Sequence, residues 1–197
     1  MIIHNILQQG TEEWFAIRKG KMTASSACEI GNAGKGLDTY INKLMAEFYS
    51  SGERESFSNA DTKRGIELEA QARDLYELRT MSEVSQVGFI ENDEYSGCSL
   101  DGLVDEDGLI EIKCPKDEVY FKYLLNGEKE IDSKYIWQMQ MQMMISNRKW
   151  CDFLAYNPNY KPTMFTKRIF ADEDTFDKLR IGLGIGRAKI EDIKSKI

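Results

Sequence analysis

Residues 99–115, SLDGLVDEDGLIEIKCP, are the part of the sequence that most constrains the fold. Two short apolar runs flank an acidic, glycine-containing turn, the pattern of paired strands, and Pro115 closes the second run because proline cannot continue a ladder. Asp101 and Glu111 stand where they can converge on a hard divalent cation, which takes oxygen ligands. Lys113 lies two residues past Glu111, so in an extended strand both side chains leave the same face. Two carboxylates and an ammonium at a strand end suit metal-assisted phosphodiester hydrolysis. There the metal lowers the pKa of a bound water and neutralises phosphate charge, and the lysine orients or deprotonates that water. Desolvation or a nearby cation depresses the lysine pKa, and the carboxylates push the other way. Asp-Gly also makes ordinary turns and Glu-x-Lys ordinary solvated strand faces, so the reading depends on the rest of the chain.

The remaining pattern alternates helices and strands. Residues 11–19 read as a short amphipathic helix with Thr11 as N-cap, acids in its first turn and Gly20 at its end. A second helix is expected to open at Thr23-Ala24-Ser25-Ser26. Apolar spacing at Tyr40, Ile41, Leu44, Met45 and Phe48 predicts a helix over 38–50. Residues 51–59 are polar and loop-like, and a longer helix is expected over 61–79. Strands follow near 83–91, 96–104 and 108–114, helices near 116–126 and 132–147, strands near 150–157 and 163–170, and a last helix capped by Asp172. No repeat, low-complexity segment or linker divides the chain, so residues 1–197 read as one domain. Its class is α/β or α+β, with a central mixed β-sheet flanked by helices.

Composition excludes several functions. The chain has 197 residues, 42% hydrophobic and 30% charged, ordinary values for a globular domain with a sizeable core. No apolar run is long enough to span a bilayer and no secretory signal opens the sequence, which predicts a cytoplasmic protein with no membrane partner. Cys28, Cys98, Cys114 and Cys151 are scattered without a C-x-x-C, which argues against zinc or iron–sulfur sites. His4 is the single histidine, which rules out most Ser-His-Asp schemes. The net charge of −7 argues against a protein that coats DNA non-specifically. A basic channel inside an acidic exterior remains compatible with it.

Two further segments carry candidate chemistry. In Gly65–Arg73, Leu68, Ala72 and Leu75 share one helix face, and Glu69 and Arg73 pair at i,i+4; Glu69 is either a surface ion-pair partner or a third acid of the site. Residues 135–144 alternate Gln and Met, yet both propagate helix well. A helix there places Gln138 and Gln142 on one face. The methionines then fill core, and Gln138 is expected to hold a water or a phosphate near the acids.

Four motifs in order resemble the lambda-type exonuclease family, the YqaJ-like viral recombinases, within the PD-(D/E)xK nuclease superfamily. They are Trp14-x-x-x-Arg18-x-Gly20-x-x-Thr23-Ala24-Ser25; Gly65-x-x-x-Glu69-x-x-Ala72-Arg73; Ser99-Leu100-Asp101-Gly102-Leu103 with Glu111-Ile112-Lys113-Cys114-Pro115; and Tyr135-x-x-Gln138-x-Gln140. Leu100 stands where the superfamily name has proline. The resemblance implies a restriction-endonuclease-like core. It implies that Asp101, Glu111 and the Ile112 carbonyl hold one Mg²⁺, that Glu69 and Asp101 hold a second, and that Mn²⁺ substitutes. Lys113 would activate the water with help from Gln138. Arg18, Thr23, Ser25, Ser99 and Gln140 would contact the 5′-phosphate and the DNA. A helix opening at Thr23 would add unpaired N–H groups and a positive dipole. The implied activity is ATP-independent 5′→3′ digestion of one strand of linear duplex DNA. That leaves a 3′ tail for a single-strand annealing protein in phage-type recombination. Homotrimeric rings in a bacterial host, encoded by phage or prophage, belong to the same implication. No Walker A motif contradicts it: Gly31–Gly36 lacks the Lys-Ser/Thr ending, and Gly182–Gly186 lies inside the last helix. The competing readings are a restriction or repair endonuclease, an iron–sulfur nuclease disfavoured by the scattered cysteines, and a catalytically silent DNA-end-binding scaffold.

Overall fold

The structure, a computed structural model, describes residues 1–52 and 60–197, with side chains left out at 60–63. The polar segment 51–64, a candidate for DNA contact from the sequence, therefore falls mostly outside the described residues. Strand β1 (Ile2–His4) precedes α1 (Glu12–Arg18), β2 (Met22–Thr23), a 3-10 turn (Ala24–Ser26), α2 (Ala27–Asn32), α3 (Lys35–Tyr49) and α4 (Ala60–Thr80). Then come β3 (Val84–Ser85), β4 (Phe89–Glu91), β5 (Ser96–Cys98), β6 (Gly102–Val104) and β7 (Gly108–Lys113). The chain finishes with α5 (Asp117–Asn126), a second 3-10 turn (Gly127–Glu130), α6 (Ser133–Ser146), β8 (Trp150–Tyr156), β9 (Met164–Phe170) and α7 (Glu173–Lys194).

Local chemistry explains several boundaries. The Thr11 hydroxyl accepts from the Trp14 amide and starts α1, and Gly20 follows it at φ +78°, a left-handed conformation that glycine adopts without strain. Asp132 caps α6 by accepting from the Lys134 amide. The Gln/Met stretch is helical, and Met139, Met141 and Met143 are fully buried.

Two mixed sheets form. The larger runs β3-β6-β7-β8-β9, with β7 and β8 parallel and the other pairs antiparallel. The parallel pair is joined by the crossover through α5 and α6, as parallel strands require. Leu68, Ala72 and Tyr76 of α4 cover one face, packing with Ile110, Ile112 and Leu154. The opposite face, with Leu109, Cys151 and Phe153, packs against α5 and α6 in the main core. The smaller sheet runs β1-β4-β5-β2.

The sequence reading placed one strand at 83–91 and one at 96–104. Each is two strands. Val84–Ser85 pairs with Leu103–Val104 in the large sheet, and Ile90–Glu91 pairs with Gly97–Cys98 in the small one. The hairpin changes sheets midway, leaving a seam at 86–88 and 99–101. Backbone carbonyls there have lost their ladder partners, and side chains from elsewhere take them up, as buried polar groups require. Gln9 Nε2 donates to Val87 O (3.2 Å) and Leu100 O (2.8 Å), and Trp14 Nε1 donates to Gly88 O (3.0 Å). Gln142 Nε2 donates to Ser99 O (3.2 Å), and Arg73 Nε to Asp101 O (3.2 Å).

Candidate active site

The seam and the end of β7 meet. The β6–β7 ladder stops at Gly102↔Ile110, so the Ile112 amide is left for a side chain: it donates to Asp101 Oδ2 at 2.6 Å. Along β7, Glu111 and Lys113 share the face of Leu109, turned toward α6, while Ile110 and Ile112 face α4. The sequence expectation of a shared face holds: Lys113 Nζ lies 2.5 Å from Glu111 Oε1.

Glu111 is 1% exposed, and a buried carboxylate needs donors. Its Oε1 accepts from Lys113 and from Gln138 Nε2 (2.7 Å), and its Oε2 from Gln142 Nε2 (2.8 Å). From α4, Glu69 Oε1 accepts from Arg73 at 3.1 Å. Burial, then Glu111 and Glu69, push the Asp101 carboxyl well above its usual range. Burial raises Glu69 too; Arg73 opposes this and Glu111 adds to it. Burial pulls the Lys113 ammonium down, but Glu111 and Asp101 outweigh it and hold its pKa above the ordinary lysine value. The carboxylates therefore outweigh burial in the contest posed by the sequence.

Among the described residues no three His, Cys, Asp or Glu side chains are already gathered around a common point. The donor chemistry nevertheless fits a hard divalent cation. Glu69, Asp101 and Glu111 crowd one another electrostatically, the strain that such a cation relieves.

Beside this cluster, the Arg18 guanidinium sits 4.1 Å from the Trp14 ring centre and donates to Ser99 Oγ at 2.9 Å. Trp14 Nε1 donates to the same hydroxyl at 3.0 Å. The structure thus brings Glu69, Asp101, Glu111, Lys113 and Gln138 together, with Ser99 and Arg18 adjoining. Thr23 pairs with Gly97, two residues before Ser99. Its hydroxyl contacts that of exposed Ser25 at 3.2 Å, and its amide donates to Tyr40 at 3.0 Å. The helix expected to open at Thr23 is a 3-10 turn with Thr23 as its N-cap, running into the six-residue α2. The Thr23 amide is itself taken by Tyr40. Gln140 stands apart: it is 3% exposed, donates to Phe170 O and accepts from the Asp172 amide, tying α6 to the start of α7. Two residues absent from the sequence-derived site belong to it structurally. Arg73 ties Glu69 to the seam. Gln142 holds Glu111, and its i,i+4 spacing from Gln138 was the available signal.

An acid at a hairpin's sheet-crossing point, a Glu-x-Lys on the adjoining strand and flanking helices define a PD-(D/E)xK-like nuclease core. The chain belongs to the YqaJ-like viral recombinase family, the lambda-type exonucleases: residues 13–149 match the YqaJ-like viral recombinase domain. It is similar to the alkaline exonuclease LHK-Exo of Laribacter hongkongensis at 34% identity, covering 94% of this chain and 97% of that one, with a TM-score of 0.80. Against LHK-Exo in complex with dAMP the TM-score is 0.82. A phage-related exonuclease from Haemophilus somnus 129PT shares the fold at 19% identity, covering 89% of this chain and 96% of that one, with a TM-score of 0.72. Comparison with curated proteins finds no match.

Proposed function

We propose that this protein is a Mg²⁺-dependent, ATP-independent exonuclease. It digests the 5′ strand of linear duplex DNA and leaves a 3′ single-stranded tail. The observation that carries the reading is the buried Glu111 carboxylate bonded at once to Lys113 and Gln138, beside Asp101. Family membership and the likeness to an alkaline exonuclease support it.

In this reading Asp101, Glu111 and the Ile112 carbonyl hold one Mg²⁺, Glu69 and Asp101 hold a second, and Mn²⁺ can replace them. The paired ions supply an acidified water and neutralise charge on the phosphate. The chain's own groups do the positioning. Gln138 and Lys113 converge on Glu111 Oε1, where each has donors to turn toward a water or a phosphate oxygen. As an ammonium Lys113 orients that water; taking its proton requires the pairing with Glu111 to relax first. Arg18 and Ser99, with Thr23 at the end of β2 and Ser25 in the 3-10 turn that follows, receive the 5′-phosphate. Arg18 is suited to this because guanidinium binds phosphate in two places at once. A homotrimeric ring with DNA in its lumen reconciles the net charge of −7 with a DNA substrate. The 3′ tail serves a single-strand annealing partner in phage-type recombination in the cytoplasm of a bacterial host. Among the described residues no helix is long and apolar enough to cross a membrane.

The test uses linear duplex DNA phosphorylated at one 5′ end and labelled on each strand in turn, with Mg²⁺ or EDTA. Mononucleotide release from the phosphorylated strand is expected, dependent on Mg²⁺ and absent in Lys113→Ala. Cutting of closed circles would move the assignment to an endonuclease, and inactivity in both conditions to a DNA-end-binding scaffold.

A further inference from the structure

One side chain joins the seam to the acid of β7. Gln142 is 1% exposed, and its single amide nitrogen donates both to Glu111 Oε2 (2.8 Å) and to Ser99 O (3.2 Å). Its Oε1 is buried without a partner among the described residues. Turning the amide over would set that oxygen against two acceptors, so the orientation is fixed at the cost of an unmet acceptor. Side chains that merely fill a core do not need such an arrangement; a methionine, as at the neighbouring Met141 and Met143, would fit without it. On its far side, the Ser99 hydroxyl accepts from Arg18 and Trp14. Ser99 thus stands between the two sides, its hydroxyl accepting from Arg18 and its main-chain carbonyl from Gln142, which also holds Glu111.

We infer that Gln142 is a positioning residue that fixes the Glu111 carboxylate relative to the main chain of Ser99, the residue whose hydroxyl meets Arg18. The inference rests on the exonuclease reading above.

The informative substitution is Gln142→Met, which keeps length and helix propensity, removes both donated bonds and also removes the unmet acceptor. On 5′-phosphorylated duplex, kcat is expected to fall about 10–100-fold, the usual range when a partner of a reacting or ligating group is lost. KM should stay within about twofold, because Gln142 is buried and offers no surface to DNA. Affinity for the same duplex in EDTA should match wild type, and the thermal midpoint should fall only modestly, because Glu111 Oε2 and Ser99 O lose a donor while an unmet acceptor is removed. Ser99→Ala combined with Gln142→Met should cost less than the product of the single effects, as expected for residues acting in series. Should Gln142→Met not fold, Gln142→Asn keeps the amide, one methylene short of spanning both acceptors, and should show the same loss in kcat. An unchanged kcat in the folded variant overturns the inference. So does a loss shared between KM and the thermal midpoint, which marks a purely structural role. An inactive wild type would instead overturn the exonuclease reading itself; an active wild type with an unaffected Gln142→Met overturns this inference alone.

Discussion

Helix α7 carries three glycines at alternate positions, 182, 184 and 186, and their surroundings differ enough to separate backbone propensity from packing. An alanine Cβ at 182 would lie 1.9 Å from the Ile30 carbonyl oxygen of α2. The rigid backbone cannot swing aside, so α7 would have to retreat by roughly 1 Å to restore ordinary contact. An alanine at 184 would meet nothing within 4 Å. Both substitutions gain about 0.5–1 kcal/mol from replacing glycine in a helix. Only Gly182→Ala pays for overpacking, about 1–3 kcal/mol and toward the upper end for a backbone clash. Gly184→Ala should therefore stabilise by up to about 1 kcal/mol, and Gly182→Ala should destabilise by about 1–2 kcal/mol. At about 2–4 °C per kcal/mol for a chain of this size, the two midpoints should differ by about 5–10 °C. Thermal melts followed by far-ultraviolet circular dichroism, repeated in urea, measure this. Equal shifts of the same sign would refute the argument, since they would mean that the α2–α7 approach contributes nothing.

Other outcomes follow from single groups. Arg18→Ala should reduce the preference for 5′-phosphorylated over 5′-hydroxyl ends about 10–100-fold, the value of a charged hydrogen bond; competition between the two duplexes reads it, and an unchanged ratio removes Arg18 from the end site. Tyr76 donates at 2.7 Å to Asp152, which is 3% exposed and also paired with Arg168. Tyr76→Phe should cost about 1.5–3 kcal/mol in urea denaturation, and a loss below about 0.5 kcal/mol would show that Arg168 alone satisfies the carboxylate. Burial raises the Glu91 carboxyl, but hydrogen bonds from His4 and Lys21 outweigh it and lower its pKa. A carboxylate depressed on folding adds stability above its ordinary titration range and loses it as pH falls through the folded pKa. Glu91→Gln should thus destabilise by about 0.5–1 kcal/mol at neutral pH and be indistinguishable from wild type once both states are protonated. A pH-independent difference would contradict that assignment.

The reach of the sequence can be judged residue by residue. Helices were legible where capping and apolar spacing agreed, as at Thr11 and over Tyr40–Phe48, and the Gln/Met run was legible because propensity outweighed alternation. The shared face of Glu111 and Lys113 followed from strand periodicity alone. The splitting of the two long strands was not legible, because only tertiary side chains such as Gln9 and Trp14 reveal where the ladder breaks. β1 was missed: three residues held by pairing to β4 carry too little pattern of their own. The helix expected to open at Thr23 begins as a 3-10 turn because hydroxyl-rich starts serve short 3-10 turns as well as long helices. Gln140 was grouped with the site through its motif, although helical geometry sends it away from the face of Gln138 and Gln142 toward α7.

The seam has a consequence for chain length. Three residues are unpaired on each strand, 86–88 and 99–101, and the pairing offset is the same on both sides, from Val84↔Val104 to Ile90↔Cys98. The gap thus works as a matched pair of rulers, with no bulge to absorb an error. An added residue in either arm would turn one sheet's side chains over relative to the other's, because strand faces alternate at every position. Identity is freer than length: buried Leu100 holds the place of the superfamily's proline while its carbonyl stays gripped by Gln9. Asp101 is thus aimed by counting, and a single-residue deletion in either arm should misplace it.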